Sequence, residues 1–296
     1  MDKYISTITP VYNDPEGVRD TLSSLPLEDP RAEFIMIDNG STDNTASVIS
    51  EFEEAYENVT LLHEPQENSQ FAARNTAIQS TNSEILAFVD ADMILPDDWL
   101  SSVIEEFQES NADYMASNVE LELPDDPTVA SLYDYHTGFP VEQYIEKKYF
   151  APTCCLTIHR SVFEDIGLFD YRLQSGGDVE FGTRAFEAGY NIHFASDVTV
   201  YHPTRNRLTD LFDKASRVGR GHCQLQRCHP DRFGTPGIPP RPSGIKNPKS
   251  GLPAKDRVAF GVLSTSLTSM RGLGYYREYI AGNKDIADGK IPKIGK

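Results

Sequence analysis

Asp90 and Asp92 stand one residue apart at the end of the apolar run Ile85-Leu86-Ala87-Phe88-Val89. Two carboxylates in that position repel unless something positive lies between them, and a divalent cation is the natural partner. Hard oxygen ligands suit Mg²⁺ or Mn²⁺, which keep several waters and bind through one or two carboxylates plus substrate phosphates. The D-x-D therefore points to a phosphate-bearing substrate. Two more polar strings, Thr9-Pro10-Val11-Tyr12-Asn13 and Asp38-Asn39-Gly40-Ser41-Thr42-Asp43, also follow apolar runs. Asx turns and helix caps account for the second string equally well, because Asp, Asn, Ser and Thr favour those positions through local hydrogen bonds.

The elements that must position these strings follow from hydrophobic rhythm. Apolar, β-rich runs alternate with amphipathic stretches over the first hundred residues, as in βαβ units. Strands are predicted over Tyr4–Thr9, Phe34–Ile37, Val59–His63 and Ile85–Val89. Helices are predicted over Pro15–Leu25, Asn44–Phe52 and Phe71–Gln79, with another from the turn Pro96-Asp97-Asp98 to about Glu109. Helical crossovers imply parallel strands, and open parallel sheets bind ligands beyond their carboxyl ends. All three polar strings close a strand, so they should gather on one edge of the sheet.

The chain has 296 residues, 39% of them apolar and 10% aromatic, enough for a full-sized core. Disorder and a disulfide-stapled miniature are excluded. Four cysteines are too few for a disulfide framework, Cys154 and Cys155 are neighbours that cannot easily bridge, and no secretory apolar segment opens the chain. A reducing cytoplasm is the expectation. The net charge of −18 conceals an asymmetry: residues 1–200 carry 9 Lys or Arg against 38 Asp or Glu, and residues 201–296 carry 18 against 7. The acidic part reads as a solvated surface suited to a salt-rich cytoplasm.

The basic part begins with a predicted helix, Leu208–Cys223, on which Lys214, Arg217 and Arg220 put positive charge along one face. Pro236 to Gly244 reads as a loop, since its prolines suit neither a helix interior nor a central strand. Val258–Met270 carries no charge, is bounded by Arg257 and Arg271, and places Phe260, Leu263, Leu267 and Met270 at helical spacing. It is too short and too polar to cross a bilayer. Its expected fate is to pack against the domain. The alternative is a membrane-surface role, with the basic residues drawn to anionic lipids. His222-Cys223 and Cys228-His229 are too crowded for an ordinary zinc module.

Taken together, TPVYN, DNGSTDNT, the pair Arg74-Asn75 and DAD resemble the nucleotide-sugar half of glycosyltransferase family 2, which has the GT-A fold. The resemblance continues in Gly176-Gly177-Asp178-Val179-Glu180-Phe181-Gly182-Thr183-Arg184, similar to the family's acceptor-side acidic motif, and in Val200-Tyr201-His202-Pro203, similar to its late histidine. Each string is common alone; their order and spacing over residues 4–205 are specific. The implied fold class is α/β: a Rossmann-like, mostly parallel central sheet flanked by helices, with a basic, partly helical C-terminal extension. The implied division is a catalytic domain over 1–205, with a nucleotide-sugar half (1–110) and an acceptor half (111–205), followed by an extension over 206–296.

Carried over residue by residue, the resemblance implies that Pro10, Tyr12 and Asn13 line the nucleotide pocket, that Asp38 accepts a hydrogen bond from the base and that Asp90 holds the ribose. Asp92 would coordinate Mg²⁺ or Mn²⁺ with His202 as second protein ligand, and Arg74 would sit near the phosphates or organise the D-x-D loop. The catalytic base is left open between Asp178, which is favoured, and Glu180. The family often writes this motif Glu-Asp-x-Asp, whereas here Gly177 replaces the first acid and Glu180 the last. A helix N-cap is the plain structural alternative for Asp178.

The implied reaction is single-sugar transfer with inversion, from a nucleoside diphosphate sugar, UDP-sugar first, to a lipid-linked (polyprenyl or dolichyl phosphate) or glycan acceptor. In related enzymes the region after residue 205 approaches the acceptor. The processive synthases' Gln-x-x-Arg-Trp motif is absent, and the only tryptophan is Trp99. A haloarchaeal-type glycan-assembly enzyme at the cytoplasmic face of the membrane, with no nucleic-acid partner, fits both the acidic domain and the basic extension. A nucleotidyltransferase is disfavoured because TPVYN cannot serve as its glycine-rich phosphate loop. A non-catalytic nucleotide-sugar-binding module is disfavoured because Asp92, Asp178 and His202 are all present. Neither G-x-G-x-x-G nor a Walker P-loop occurs, which removes dehydrogenase and ATPase readings.

Overall fold

The computed structural model describes residues 4–64, 69–240, 254–282, 286 and 289–294, with 254–256 as backbone only. The elements run β1 (Ile5–Val11), α1 (Pro15–Ser24), β2 (Ala32–Asp38), α2 (Thr45–Ala55), β3 (Val59–His63), α3 (Gln70–Ser80), β4 (Ile85–Phe88), α4 (Trp99–Glu109) and β5 (Tyr114–Glu122). There follow α5 (Val129–Thr137), α6 (Val141–Lys148), β6 (Leu156–His159), α7 (Arg160–Ile166), α8 (Gly177–Glu187), β7 (Ile192–Pro203), α9 (Leu208–Cys228), α10 (Pro230–Phe233) and α11 (Ala254–Ala281).

The seven strands form one sheet in the order β3-β2-β1-β4-β6-β5-β7. Only β6 runs against the others, so the sheet is mostly parallel, as expected. β1, β2 and β4 are buried almost throughout, the signature of strands covered on both faces by crossover helices. The first crossover is set locally: the Asp14 carboxylate accepts from Gly17 N at 2.9 Å and Pro15 occupies the first turn of α1. Behind the sheet, Phe88, Phe163, Phe169 and Phe181 pack ring against ring at centroid distances of 4.7–6.0 Å.

Boundaries shift where tertiary contacts decide them. β1 extends to Val11 and so includes Pro10, which is tolerated because β4 pairs with β1 only as far as Ile8↔Phe88. β7 runs on to Pro203 and so takes in His202. α8 starts at Gly177 after Gly176 in the left-handed region (φ 86°), so Asp178 lies in the first turn and the N-cap alternative falls.

α9 and α11 form a layer in the basic C-terminal extension. They run in the same direction, with Leu211 and Ala215 clustered with Leu263 and Leu267 at one end and Arg227 bonded to Glu278 at 3.3 Å at the other. Phe260, Leu263 and Leu267 are the buried face of α11, so the expected packing against the domain is what the chain adopts. The helix is longer than the uncharged run implied, at 28 residues. Residues 236–240 of the expected proline-rich loop have neither helix nor strand; residues 241–244 lie outside the described residues. Among the described residues, no helix is long and apolar enough to cross a membrane.

Candidate active site

The D-x-D lies at the carboxyl end of β4, where Val89 N still donates to Ile8 O at 3.1 Å before the chain leaves the sheet. Arg74, wholly buried in α3, donates from Nη2 to Asp90 Oδ1 at 2.7 Å. It therefore organises the D-x-D loop. Asn75 clasps the backbone of Phe169 in both directions, donating to its carbonyl at 2.9 Å and accepting from its N–H at 3.0 Å. The Arg-Asn pair thus ties α3 to the D-x-D on one side and to the loop before α8 on the other.

Three more bonds bring Asp92 to His202. Ile94 and Tyr201 exchange backbone hydrogen bonds of 3.0 Å, stitching the loop after Asp92 to β7 beside His202. Thr21 Oγ1 donates to Met93 O at 2.8 Å from the other side. His202 Nε2 then lies 3.7 Å from Asp92 Oδ1. Its Nδ1 is 2.7 Å from Pro203 O, and because a carbonyl can only accept, that nitrogen carries the proton. In the neutral ring Nε2 is then the lone-pair nitrogen, and it is the one that faces Asp92. The 3.7 Å gap exceeds a hydrogen bond. It falls in the roughly 3–4 Å that separates two atoms bound about 2.1 Å from one divalent cation. Burial raises the Asp92 carboxyl pKa; His202 and Arg205 oppose that shift, and Asp90 and Asp14 reinforce it. Repelling carboxylates in a desolvated cleft create a demand for positive charge. Among the described residues no three His, Cys, Asp or Glu side chains converge on a metal, so most of the shell would fall to diphosphate oxygens and water.

The edge expected to receive the nucleotide is built from β1, β2 and β3. Asp38, 6% exposed, accepts from Ser41 N at 3.1 Å, and its other oxygen faces His63 Nδ1 at 3.3 Å. His63 was not singled out from the sequence; the signal was its position at the end of the third strand, paired in register with Asp38. Tyr12 is 55% exposed at the rim, with its ring free to stack. Asn13 has φ 50°, accepts from Thr42 N at 2.8 Å and donates its own N–H to Ser41 Oγ at 2.9 Å, so it clamps the two polar loops together. Pro10 is half-buried in β1. Thr9 Oγ1 and Asn39 Oδ1 are buried at this edge without a hydrogen-bond partner among the described residues.

On the acceptor side the two candidate bases separate. Asp178 is half-buried and accepts from Val179 N at 2.9 Å; burial raises its carboxyl pKa against the opposing pull of that N–H, Arg74 and Arg217. Glu180 has no exposed surface, is bonded to Arg184 Nε at 2.8 Å, and has Arg232 at 3.6 Å and His229 at 4.0 Å. Two positions further along the helix than Asp178, it is enclosed in a charge network that ties α8 to α10, which sets it apart from Asp178 as a candidate base. Asp170 belongs to the same network; burial alone would raise its pKa, but His229 and Arg172 bring it down to about 2.

The basic face of α9 reaches this cleft. Arg205 donates to Asp134 at 3.1 Å with Lys214 3.9 Å from the same carboxylate, and Arg217 bears on both Asp90 and Asp178. The His-Cys strings are not a metal site: His229 Nε2 is held by Asp170 at 2.8 Å and the Cys228 thiol faces Ile286 O. Cys154 and Cys155 are buried and unbridged. A surface hollow of about 510 Å³ lined by Asn82, Glu84, Asp113, His159 and Arg160 lies at the opposite ends of the strands and gathers none of the motif residues.

Comparison with known proteins agrees with this geometry. The profile described as Glycosyl transferase family 2 matches residues 6–167. The chain is 36% identical over 225 residues to glycosyltransferase AglE of Haloferax volcanii, covering 75% of this chain and 74% of that protein. It is 26% identical over 235 residues to the pre-mycofactocin glycosyltransferase of Mycobacterium tuberculosis, covering 77% of this chain and 48% of the relative. The fold is that of the mannosyltransferase PcManGT from Pyrobaculum calidifontis in complex with GDP-Man and Mn²⁺ (TM-score 0.58, 17% identity, 97% of this chain and 78% of that one). It is also that of TarS from S. aureus in complex with UDP-GlcNAc (TM-score 0.55, 14% identity, 97% and 91%).

Proposed function

Because the chain belongs to glycosyltransferase family 2 and is therefore a glycosyltransferase, we propose that it is a metal-dependent, inverting enzyme. It moves a single sugar from a nucleoside diphosphate sugar, UDP-sugar first, to a lipid-linked polyprenyl or dolichyl phosphate or to a glycan acceptor. The observation that carries this reading is the juxtaposition of Asp92 with His202 Nε2 beyond the D-x-D strand end. Solved structures of the same fold hold GDP-Man with Mn²⁺ and UDP-GlcNAc, which supports a diphosphate-linked donor.

In this reading Pro10, Tyr12, Asn13 and Asp38 receive the nucleoside, and Asp90, held by Arg74, receives the ribose. Asp92 and His202 would hold Mg²⁺ or Mn²⁺, which would supply positive charge to offset that on the departing diphosphate. The acceptor oxygen attacks the anomeric carbon from the face opposite the diphosphate. Its bond to carbon forms as the carbon–oxygen bond to the β-phosphate breaks, and the electron pair of that bond leaves with the nucleoside diphosphate. Asp178 takes the hydroxyl proton, a task its raised pKa favours. Residues 1–110 serve as the donor half, 111–205 as the acceptor half and 206–296 as an extension.

A place at the cytoplasmic face of a membrane fits the outward side of α11, where Val258, Val262, Leu273 and Ile280 are exposed near Arg257 and Arg277. The donor reading is tested by calorimetry of UDP, GDP and dTDP with and without Mn²⁺. One nucleotide should bind in a Mn²⁺-dependent manner and lose that dependence in Asp92→Ala. Failure of all three in folded protein overturns it.

A further inference from the structure

Among the described residues, three arginines near the candidate cleft form no ion pair with an acidic side chain. Arg217 and Arg220 project from α9 and Arg271 from α11, all partly buried. Among the described residues their side chains make no hydrogen bond or ion pair, and the Nε atoms of Arg220 and Arg271 are buried without an acceptor. Their neighbours are neutralised: Arg205 by Asp134 at 3.1 Å, Arg227 by Glu278 at 3.3 Å and Arg184 by Glu180 at 2.8 Å. Partly buried guanidinium groups without partners are costly to a fold, and oxyanions match their planar donor fork.

The helix packing gathers these groups. Gly219 brings the backbone of α9 against the carbonyl of Arg271, Gly274 brings α11 against Ser216, and Gly221 rests on the carbonyl of Ser175, in the loop leading to Asp178. A side chain at any of the three glycines would meet backbone, so the close approach depends on their absence. Arg217 and Arg220 thus flank the crossing that carries Arg271, beside the turn that carries the proposed base. Arg217 bears on Asp178 and is repelled by Arg205 and Arg220, while Arg271 acts on Tyr144 and His222. Arg217 also bears on Asp90, so the group spans from the D-x-D toward the turn that carries Asp178, while Arg205 bears on Asp92.

We propose that Arg217, Arg220 and Arg271 form an acceptor subsite for an oxyanion, a phosphate or carboxylate that the acceptor carries near its reacting hydroxyl. This rests on the transferase reading above and names the chemistry of its acceptor. The subsite selects anionic acceptors over neutral sugars and sets their orientation toward Asp178.

The test uses the full chain at constant ionic strength, saturated with whichever of UDP, GDP or dTDP it binds, and titrates inorganic phosphate, glucuronate and, as neutral control, glucose. Phosphate, glucuronate or both should bind at least about tenfold more tightly than glucose. Arg220→Gln and Arg271→Gln should each weaken that binding about tenfold and leave nucleotide affinity within about twofold. Phosphate preference assigns a phosphorylated acceptor and glucuronate preference an acidic sugar. Anions no better than glucose, or binding unchanged in both variants, overturns the subsite. Where no nucleotide binds, the donor reading fails separately and the anion titration is run alone. Should the variants not fold, phenylglyoxal labelling of the unmodified chain decides: anion protection of Arg220 and Arg271 supports the subsite, and equal labelling with and without anion overturns it.

Discussion

A side chain on Gly177 would collide with Phe71: a Cβ built there lies 2.7 Å from two carbons of the Phe71 ring. Phe71 in turn packs on Phe169 at 5.8 Å, and Asn75 one turn along α3 holds the Phe169 backbone. The ring therefore has little room to retreat. The missing first acid of the acceptor-side motif is thus a packing consequence, with the start of α8 lying directly on an aromatic core residue.

Restoring that acid should harm the protein. Gly177→Glu is expected to lower stability by about 1–3 kcal/mol through overpacking, measured by urea unfolding, and to reduce turnover by displacing Asp178. Shortening the ring in Gly177→Glu/Phe71→Ala should recover less than Phe71→Ala alone loses. A freely tolerated Gly177→Glu would show that the loop repacks at no cost.

Asp178 and Glu180 should respond in opposite ways. Asp178→Asn is expected to cut kcat by about 10²–10⁴-fold with little change in nucleotide affinity, as for loss of a general base. Glu180→Gln is expected to cost about 3 kcal/mol of stability, because it leaves Arg184 buried beside a neutral partner. Activity of whatever folded Glu180→Gln remains should be near normal per molecule. Equal kinetic losses without unfolding would return Glu180 to the cleft.

Acid should destabilise the fold through His222, whose pKa burial and Arg271 bring down to about 4. The unfolded chain takes up this proton near its ordinary pKa of about 6.5, so between there and about 4 the unfolded state binds more protons. Stability should therefore be fully present above about pH 6.5 and fall toward pH 4, by of order 2 kcal/mol from this group. His222→Gln should flatten that part of a pH–stability curve; an unchanged slope assigns the acid sensitivity elsewhere.

The outward stripe of α11 gives a prediction about location. The full chain should pellet with vesicles of mixed anionic and zwitterionic lipid at low salt, and less at high salt as surface charge is screened. Leu273→Ser/Ile280→Ser, on side chains 65% and 74% exposed, should reduce pelleting without changing thermal stability. A chain that stays in the supernatant at low salt removes the membrane role.

Much of the site was legible in the chain because its parts are local. TPVYN, DNGSTD and D-A-D each close a strand that hydrophobic rhythm locates, and strand ends of a parallel sheet share one edge. The spacing of Phe260, Leu263 and Leu267 likewise foretold which face of α11 is buried. Sequence alone thus determined the order of elements over the first 110 residues and the parallel pairing of their strands, since those follow from periodicity within single elements. Tertiary structure decided what depends on distant elements meeting. Asp178 is half-buried while Glu180 is sealed by Arg184, His63 stands beside Asp38 through strand register, and Gly219 lets α9 approach the α11 backbone at Arg271. Residue type and spacing name the groups, but their chemistry depends on which neighbours remove water and supply or withhold a counter-charge, and only packing across the chain settles that.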